Sequence, residues 1–205
     1  MKTKSGITYK PDYIIIATGS RSNTFGNDNI QKYGYMCRFA EDIEKINKHL
    51  PEATSITVVG GGYTGVEIIS TLAQRFPEKK LRIIHSRERL LDRYSKHISH
   101  ITHQRLLQRG VALVMQTKIV DIYEHIITNQ HGETFESDMT IFSSGIAIND
   151  DSYRENLKFD THYRALEGDH VFLCGDVAEH GLATTAHNAM IEGRRIGHLV
   201  ADKIL

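Results

Sequence analysis

The stretch ITVVGGGYTGVEIIS, residues 56–70, leaves a chain few ways to fold. Ile56, Val58 and Val59 form a short apolar run that breaks into glycines, and a helical spacing of apolar residues begins after Tyr63. Glycines 60, 62 and 65 fit GxGxxG between a strand and a helix, the context that a dinucleotide-binding turn requires. Gly60 permits the tight turn, Gly62 keeps a side chain out of the path of a pyrophosphate, and Gly65 lets the helix sit close to its strand. The amides of the helix mouth face the phosphates, so the candidate binding residues are Gly60, Gly61, Gly62, Tyr63, Thr64 and Gly65. A purely structural glycine turn is the alternative reading.

The surrounding pattern is a β-α-β-α-β alternation. FAEDIEKINKHL (39–50) has Phe39, Ile43, Ile46 and Leu50 on one helical stripe, and Pro51 stops it. ITVVG reads as a strand, YTGVEIISTLAQRF as a helix, LRIIH as a strand, YSKHISHITHQRLLQRG as a helix ended by Gly110, and VALVM as a strand. From Thr117 to Ser137 the period changes to two, which predicts a β-hairpin or meander turning near Asn129–Gly132. Three more apolar runs end in glycine: DYIIIATG (12–19), MTIFSSG (139–145) and HVFLCGD (170–176). Each predicts a buried parallel strand whose exit lets backbone approach a ligand. The final segment, LATTAHNAMIEGRRIGHLVADKIL, is helical, with Ala186, Met190, Ile196, Leu199 and Val200 available for packing.

Nucleotide preference is read at the end of the strand after the loop, where an acidic residue would bind the adenosine ribose of NAD. Here stands His85-Ser86-Arg87-Glu88-Arg89. A hydroxyl and guanidinium groups suit the extra 2′-phosphate of NADP, so the reading favours NADPH, or use of both forms, over strict NAD preference. Arg87 and Arg89 as solvated surface residues is the competing account.

Composition sets the remaining limits. Lys plus Arg and Asp plus Glu number 25 each, so no net field draws the 205-residue chain to nucleic acid or an anionic membrane. No apolar run has membrane-span length and no signal peptide opens the chain, which makes the cytoplasm the default location. Cys37 and Cys174 lie in neither CxxC nor zinc-ligand spacing, and both are expected to be buried thiols. His97, His100 and His103 recur every third residue, but each step of three rotates by about −60° around a helix, so they do not converge on one ion and no metal is expected.

Three motifs, in this order, resemble the two-dinucleotide flavoprotein reductases of the pyridine nucleotide-disulfide oxidoreductase superfamily, including its type II NADH dehydrogenase and apoptosis-inducing-factor-like quinone reductase branches. YIIIATGS (13–20) is similar to the ATG motif at the junction of the two nucleotide domains, GGGYTGVE (60–67) to the pyridine-nucleotide loop, and VFLCGDVAE (171–179) to the second flavin motif. The resemblance implies that Asp176, with Gly175, meets the flavin ribityl chain, that Thr18 and Gly19 lie at the flavin junction, and that Glu67 and Gly145 line the nicotinamide pocket. His85, Ser86 and Arg87 would face the adenosine side. Asn149 lacks the proline that precedes it in the family, and Ala186-His187 replaces the alanine-glutamine pair of type II dehydrogenases. No CxxC precedes the central loop, which disfavours the thioredoxin-reductase branch.

The implied fold is α/β: a Rossmann-like nicotinamide domain with a β-meander (21–144), inserted in a partial Rossmann-like FAD-binding domain (1–20 and 145–205). The family's own amino-terminal flavin loop is missing, since the sequence holds one glycine fingerprint. The strands IIIATG and VFLCGD should therefore expose apolar faces or unpaired edges, leading to a homo-oligomer or to dependence on a complementary FAD-binding fragment. Little or no FAD is expected on the isolated chain. The implied activity is hydride transfer from NAD(P)H to FAD and onward to a quinone or redox-protein acceptor, with no side-chain nucleophile and hence no catalytic residue proper. A catalytically inert NAD(P)-binding module is the alternative.

Overall fold

The computed structural model describes residues 3, 5–149, 160, 170–178 and 184–204. Glu179 of the third motif, and Leu182 and Ala183 of the final segment, lie outside the described residues. In chain order the elements begin with β1 (Ile14–Ile16), β2 (Ser20–Ser22), α1 (Asp28–Tyr33), β3 (Tyr35–Met36), α2 (Ala40–His49), β4 (Ser55–Val59), α3 (Tyr63–Arg75) and β5 (Lys80–Ile84). They continue with α4 (Lys96–Gln108), β6 (Ala112–Val114), β7 (Ile119–Tyr123), β8 (Ile126–Asn129), β9 (Thr134–Glu136) and β10 (Met139–Phe142). The last are β11 (Ile146–Ile148), β12 (Val171–Leu173), a 3₁₀ turn (Gly175–Ala178) and α5 (Ala186–Ile204). Two compact units result: Ser22–Ile146, and the two chain ends, Met1–Arg21 with Ala147–Leu205.

The inner unit is a five-stranded parallel sheet in the order β3-β10-β4-β5-β6. Alternation along each strand sorts its side chains to two faces. Ile56, Val58, Leu81, Ile83, Met139 and Ile141 join Ile46 of α2 and its C-cap Leu50, Ile69, Leu72 and Ala73 of α3, and Leu106 of α4 in one core. Their neighbours Val59, Ile84 and Phe142 point the other way and pack with Ile119, Ile122 and Ile127 of a three-stranded antiparallel meander, β7-β8-β9. The meander thus covers the face that a crossover helix covers in a plain doubly wound sheet.

Several expected elements are found with small shifts. Within α2 the stripe is narrower than its spacing suggests: Ile46 and Leu50 are buried, whereas Phe39 and Ile43 are 57% and 42% exposed. The alternating run KIVDIYEHIIT is two strands, divided where Glu124 takes φ 50°. Helix α1 was not evident in the sequence, being a six-residue element. Its start is set by Asn27, whose Oδ1 accepts from the amides of Asn29 and Ile30 while Nδ2 donates to Asp121 Oδ1 at 2.9 Å, tying α1 to β7. The two cysteines are half-buried, and burial pushes both thiols upward, with Asp42 and Glu192 adding to it at Cys37 and Cys174 respectively.

The outer unit pairs β1 with β12 in parallel, Ile14 beside Val171 and Ile16 beside Leu173. The exposed apolar face expected of both strands is present on β1, where Ile15 is 50% exposed, while Phe172 and Leu173 of β12 are buried. In α5, Ile196 is fully buried but Met190 is 67% exposed, so Met190 does not pack as its spacing suggested. No helix among the described residues is long and apolar enough to cross a membrane.

Asp138, at the entry to β10, clamps two strands of the inner sheet. Its Oδ2 accepts from the Thr54 amide, the Thr54 hydroxyl and the Ser55 amide at 2.9, 2.7 and 2.9 Å. These bonds, the Thr54 hydroxyl foremost, hold its carboxyl down to about 2. A depressed carboxylate contributes stability above its unfolded value of about 4 and loses it as pH falls through the folded one. Asp138→Asn is expected to cost about 1 kcal/mol at neutral pH, since the site is exposed, and to remove the part of acid unfolding that falls between about pH 4 and pH 2. Urea titrations followed by circular dichroism at several pH values would show both effects.

Candidate functional site: the β4–α3 loop and the ends of the parallel strands

In open parallel sheets ligands bind beyond the carboxyl ends of the strands. Apart from Glu67, the predicted residues of the inner unit lie at such ends: Gly60–Gly65 after β4, His85–Arg87 after β5 and Gly145 after β10. The loop is tied to its neighbours on both sides. On the β5 side the Gly60 amide donates to Ile84 O at 2.8 Å and the Gly61 amide to His85 Nδ1 at 3.0 Å, while Leu91 N donates to Gly61 O at 2.8 Å. On the β10 side the Ser143 amide donates to Val59 O at 2.8 Å, and its hydroxyl lies 3.2 Å from both Val59 O and Gly60 O.

Each glycine meets a different constraint. Gly60 has φ +115°, and a Cβ there would lie 2.6 Å from Ser143 O. At Gly65 a Cβ would lie 1.8 Å from Gly60 O, so the first turn of α3 touches the strand exit directly. At Gly61 a Cβ would meet Leu90 and the His85 ring at 2.5 and 2.7 Å. Gly62 alone of the four faces open space, with nothing within 4 Å. It is also the N-cap of α3 and supplies no side-chain cap. The first intrahelical bond is Val66 N to Gly62 O, at 3.0 Å, so the amides of Tyr63, Thr64 and Gly65 precede the helix's own acceptors. An open position beside uncapped amides at the positive end of a helix fits a diphosphate.

The segment after β5 is arranged differently from its sequence reading. His85 is buried and its ring braces the loop through Gly61. Ser86 is exposed; Arg87 is 68% exposed, and its Nε lies 3.2 Å from Asp92 Oδ2. Arg89, offered by the sequence as a further phosphate donor, is engaged instead with the backbone carbonyls of Asp92 and Tyr94. Glu67 stands exposed one turn into α3, hydrogen-bonded to the Tyr63 phenol, whose pKa that bond raises. Ser143 and Asp92 were not found by sequence reasoning. Ser143 lies 83 residues from Gly60, and nothing local marks it as part of the loop.

The remaining predicted residues belong to the outer unit, at the carboxyl ends of β1 and β12. Gly19 and Gly175 both have positive φ, 67° and 78°. Ser20 Oγ donates to Asp176 Oδ2 at 2.6 Å, and the Gly175 amide donates to Glu192 Oε2 of α5 at 2.8 Å. Asn149 also belongs here: its amide groups donate to the carbonyls of Thr18 and Gly19. Glu192 is buried, at 4% exposed, and was not singled out from the sequence. Of the spaced histidines, His97 and His100 are exposed and His103 is partly buried.

The profile of the family Pyridine nucleotide-disulphide oxidoreductase matches residues 1–193. The chain belongs to this family. Among curated relatives, Apoptosis-inducing factor homolog A of Dictyostelium discoideum is 24% identical over 236 aligned positions, covering 98% of this chain and 58% of the relative. Type II NADH:quinone oxidoreductase of Staphylococcus haemolyticus is 24% identical over 250 positions, covering 98% and 60%. The chain therefore spans less than two thirds of the length of either. In fold it is similar to the water-forming NADH oxidase from Lactobacillus brevis bound to NADH, with a TM-score of 0.82 at 18% identity over 94% of this chain and 47% of that one. The α/β, Rossmann-like architecture is shared.

The glycine geometry separates packing from ligand space. Gly65→Ala is expected to cost at least about 2 kcal/mol of unfolding free energy, because backbone blocks the added methyl. Gly62→Ala should stay within about 1 kcal/mol of the parent, with φ already at −75° and free space around it. Denaturant titration of the two variants checks the contrast.

Proposed function

We propose that the chain holds NAD(P)H on the β4–α3 loop and serves as the coenzyme-binding part of an FAD-dependent NAD(P)H oxidoreductase that passes electrons to a quinone or a protein acceptor. The observation that carries this reading is the loop itself: three glycines fill tight space, and Gly62 leaves space open beside uncapped amides. In the proposal residues 21–144 form the NAD(P)-binding domain, and 1–20 with 145–205 form part of an FAD-binding domain. Type II NADH:quinone oxidoreductase among the relatives supports a quinone as acceptor.

Gly60, Gly61, Gly62 and Gly65 with the amides of Tyr63 and Thr64 hold the diphosphate. Ser86 and Arg87 take the adenosine ribose, and Glu67 and Gly145 line the nicotinamide pocket. On the flavin side Thr18, Gly19, Gly175 and Asp176 contribute, with Ser20 orienting the Asp176 carboxylate by its 2.6 Å bond. When bound, the reduced nicotinamide supplies a hydride and the flavin accepts it for onward transfer. The chain's own part is to bind, orient and exclude water.

Asp92 tempers the choice of coenzyme. The Arg87 guanidinium is already paired with a carboxylate, so a 2′-phosphate must share it, and the segment suits use of both coenzymes better than strict NADPH preference. Calorimetry with NADH and NADPH tests the reading; no uptake of either by folded chain would overturn it. Arg87→Ala should weaken NADPH about tenfold or more and leave NADH within about threefold. Oxidation of NAD(P)H in the presence of added FAD and a quinone or dye acceptor distinguishes an electron-transferring chain from an inert nucleotide-binding module, which would show no turnover.

A further inference from the structure

His85 has a place in the loop that the fingerprint does not include. Its Nδ1 accepts the Gly61 amide at 3.0 Å, so Nδ1 carries the lone pair and the ring proton sits on Nε2. The ring lies against Gly61 so closely that a methyl there would come within 2.7 Å of Cγ, and the histidine's own backbone is fastened on both sides by its amide to Val114 O and its carbonyl from Thr117 N. Nε2 is buried and has no hydrogen-bond partner; Asp92 Oδ1, at 4.0 Å, is beyond hydrogen-bond reach. The ring therefore ties a glycine turn, a conformationally permissive structure, to the end of a sheet.

We propose that His85 is a positioning residue of the coenzyme loop: its neutral Nε2–H ring holds Gly61 in the binding conformation, and protonation of the ring releases it, so that coenzyme affinity falls in acid. This rests on the reading of the loop given above. An imidazolium would turn a second N–H towards the Gly61 amide, replacing an acceptor by a facing donor. The charged groups that act on the ring are Asp92 and Arg87, both on its own segment; Gly61, Leu90 and Val114, which pack or bond against it, carry no charge. Burial lowers the ring's pKa below the ordinary histidine value, Asp92 opposes that and Arg87 reinforces it. The ring is thus neutral at pH 7, and the unfolded chain takes up the proton first, from about pH 6.5 downward. Stability contributed by this site is full above that value and declines below it, and the loop is released when the folded ring itself titrates.

The test uses the full chain, NADH as probe, and affinity measured from about pH 8 down through the ring's own titration, followed by ¹⁵N NMR. The wild type is expected to lose at least about fivefold in affinity over that range. His85→Asn presents an amide oxygen where Nδ1 stood and cannot titrate; it should bind within about threefold of wild type at the upper pH and show a flat profile. His85→Leu should bind at least about fivefold more weakly at the upper pH. A His85→Asn variant with the wild-type pH profile, a His85→Leu variant with wild-type affinity, or a proton found on Nδ1 by ¹⁵N NMR would each overturn the proposal. NADPH affinity that rises in acid for wild type but not for His85→Asn would mean that the ring meets the phosphate itself, and would overturn it too. Wild type that binds no NADH at the upper pH would sink the coenzyme reading instead, while the ring tautomer and the pH response of the Gly61 amide signal would still decide whether His85 holds the loop.

Discussion

Of the glycines in the inner unit, the one with least room is Gly65, where the first turn of α3 meets the exit of β4. Gly65 comes so near Gly60 that no side chain fits between them, and Ser143 closes the same gap from β10. This contact sets the direction in which the helix leaves the sheet, and with it the direction of the unpaired amides at its start. The rest of the unit is arranged to keep that contact in place. β5 and β10 flank β4 and hydrogen-bond the loop from either side, and two separate cores press on the two faces of the sheet.

A similar construction, on a smaller scale, occurs in the outer unit. There the turn after β12 is held by a buried carboxylate, Glu192, reaching from α5 to the Gly175 amide, and Asp176 is oriented by Ser20. In both units a glycine turn at a strand's carboxyl end is fixed by a side chain from a different element: His85 in one case and Glu192 in the other. Glycine turns are conformationally permissive, so a binding geometry built on them depends on such braces.

Much of the architecture was legible because its signals are local. The apolar runs ending in glycine, the helical stripe of α3 and the change of period at Thr117 each lie within one element, and β4, α3, β5, β10 and the meander were found where these signals stood. What was missed is short or depends on distant partners. α1 spans six residues and is held by Asp121 of the meander; the division of β7 from β8 turns on one positive φ at Glu124. The stripe of α2 was over-read at Phe39 and Ile43 because periodicity locates an apolar face but not the width that the neighbouring sheet covers.

For the candidate site, spacing alone determined that glycines 60, 62 and 65 belong to one turn, since steric limits on a strand-to-helix exit act within six residues. Spacing also located the segment after β5. Only the tertiary structure decided what its side chains do there. His85 turns inward to Gly61, Asp92 comes round to meet Arg87, Arg89 is taken up by backbone carbonyls, and Ser143 arrives from a strand 83 residues away. Hydrogen-bond partners are chosen by proximity in space after the sheet has formed, and the order of residues along a chain does not record that proximity.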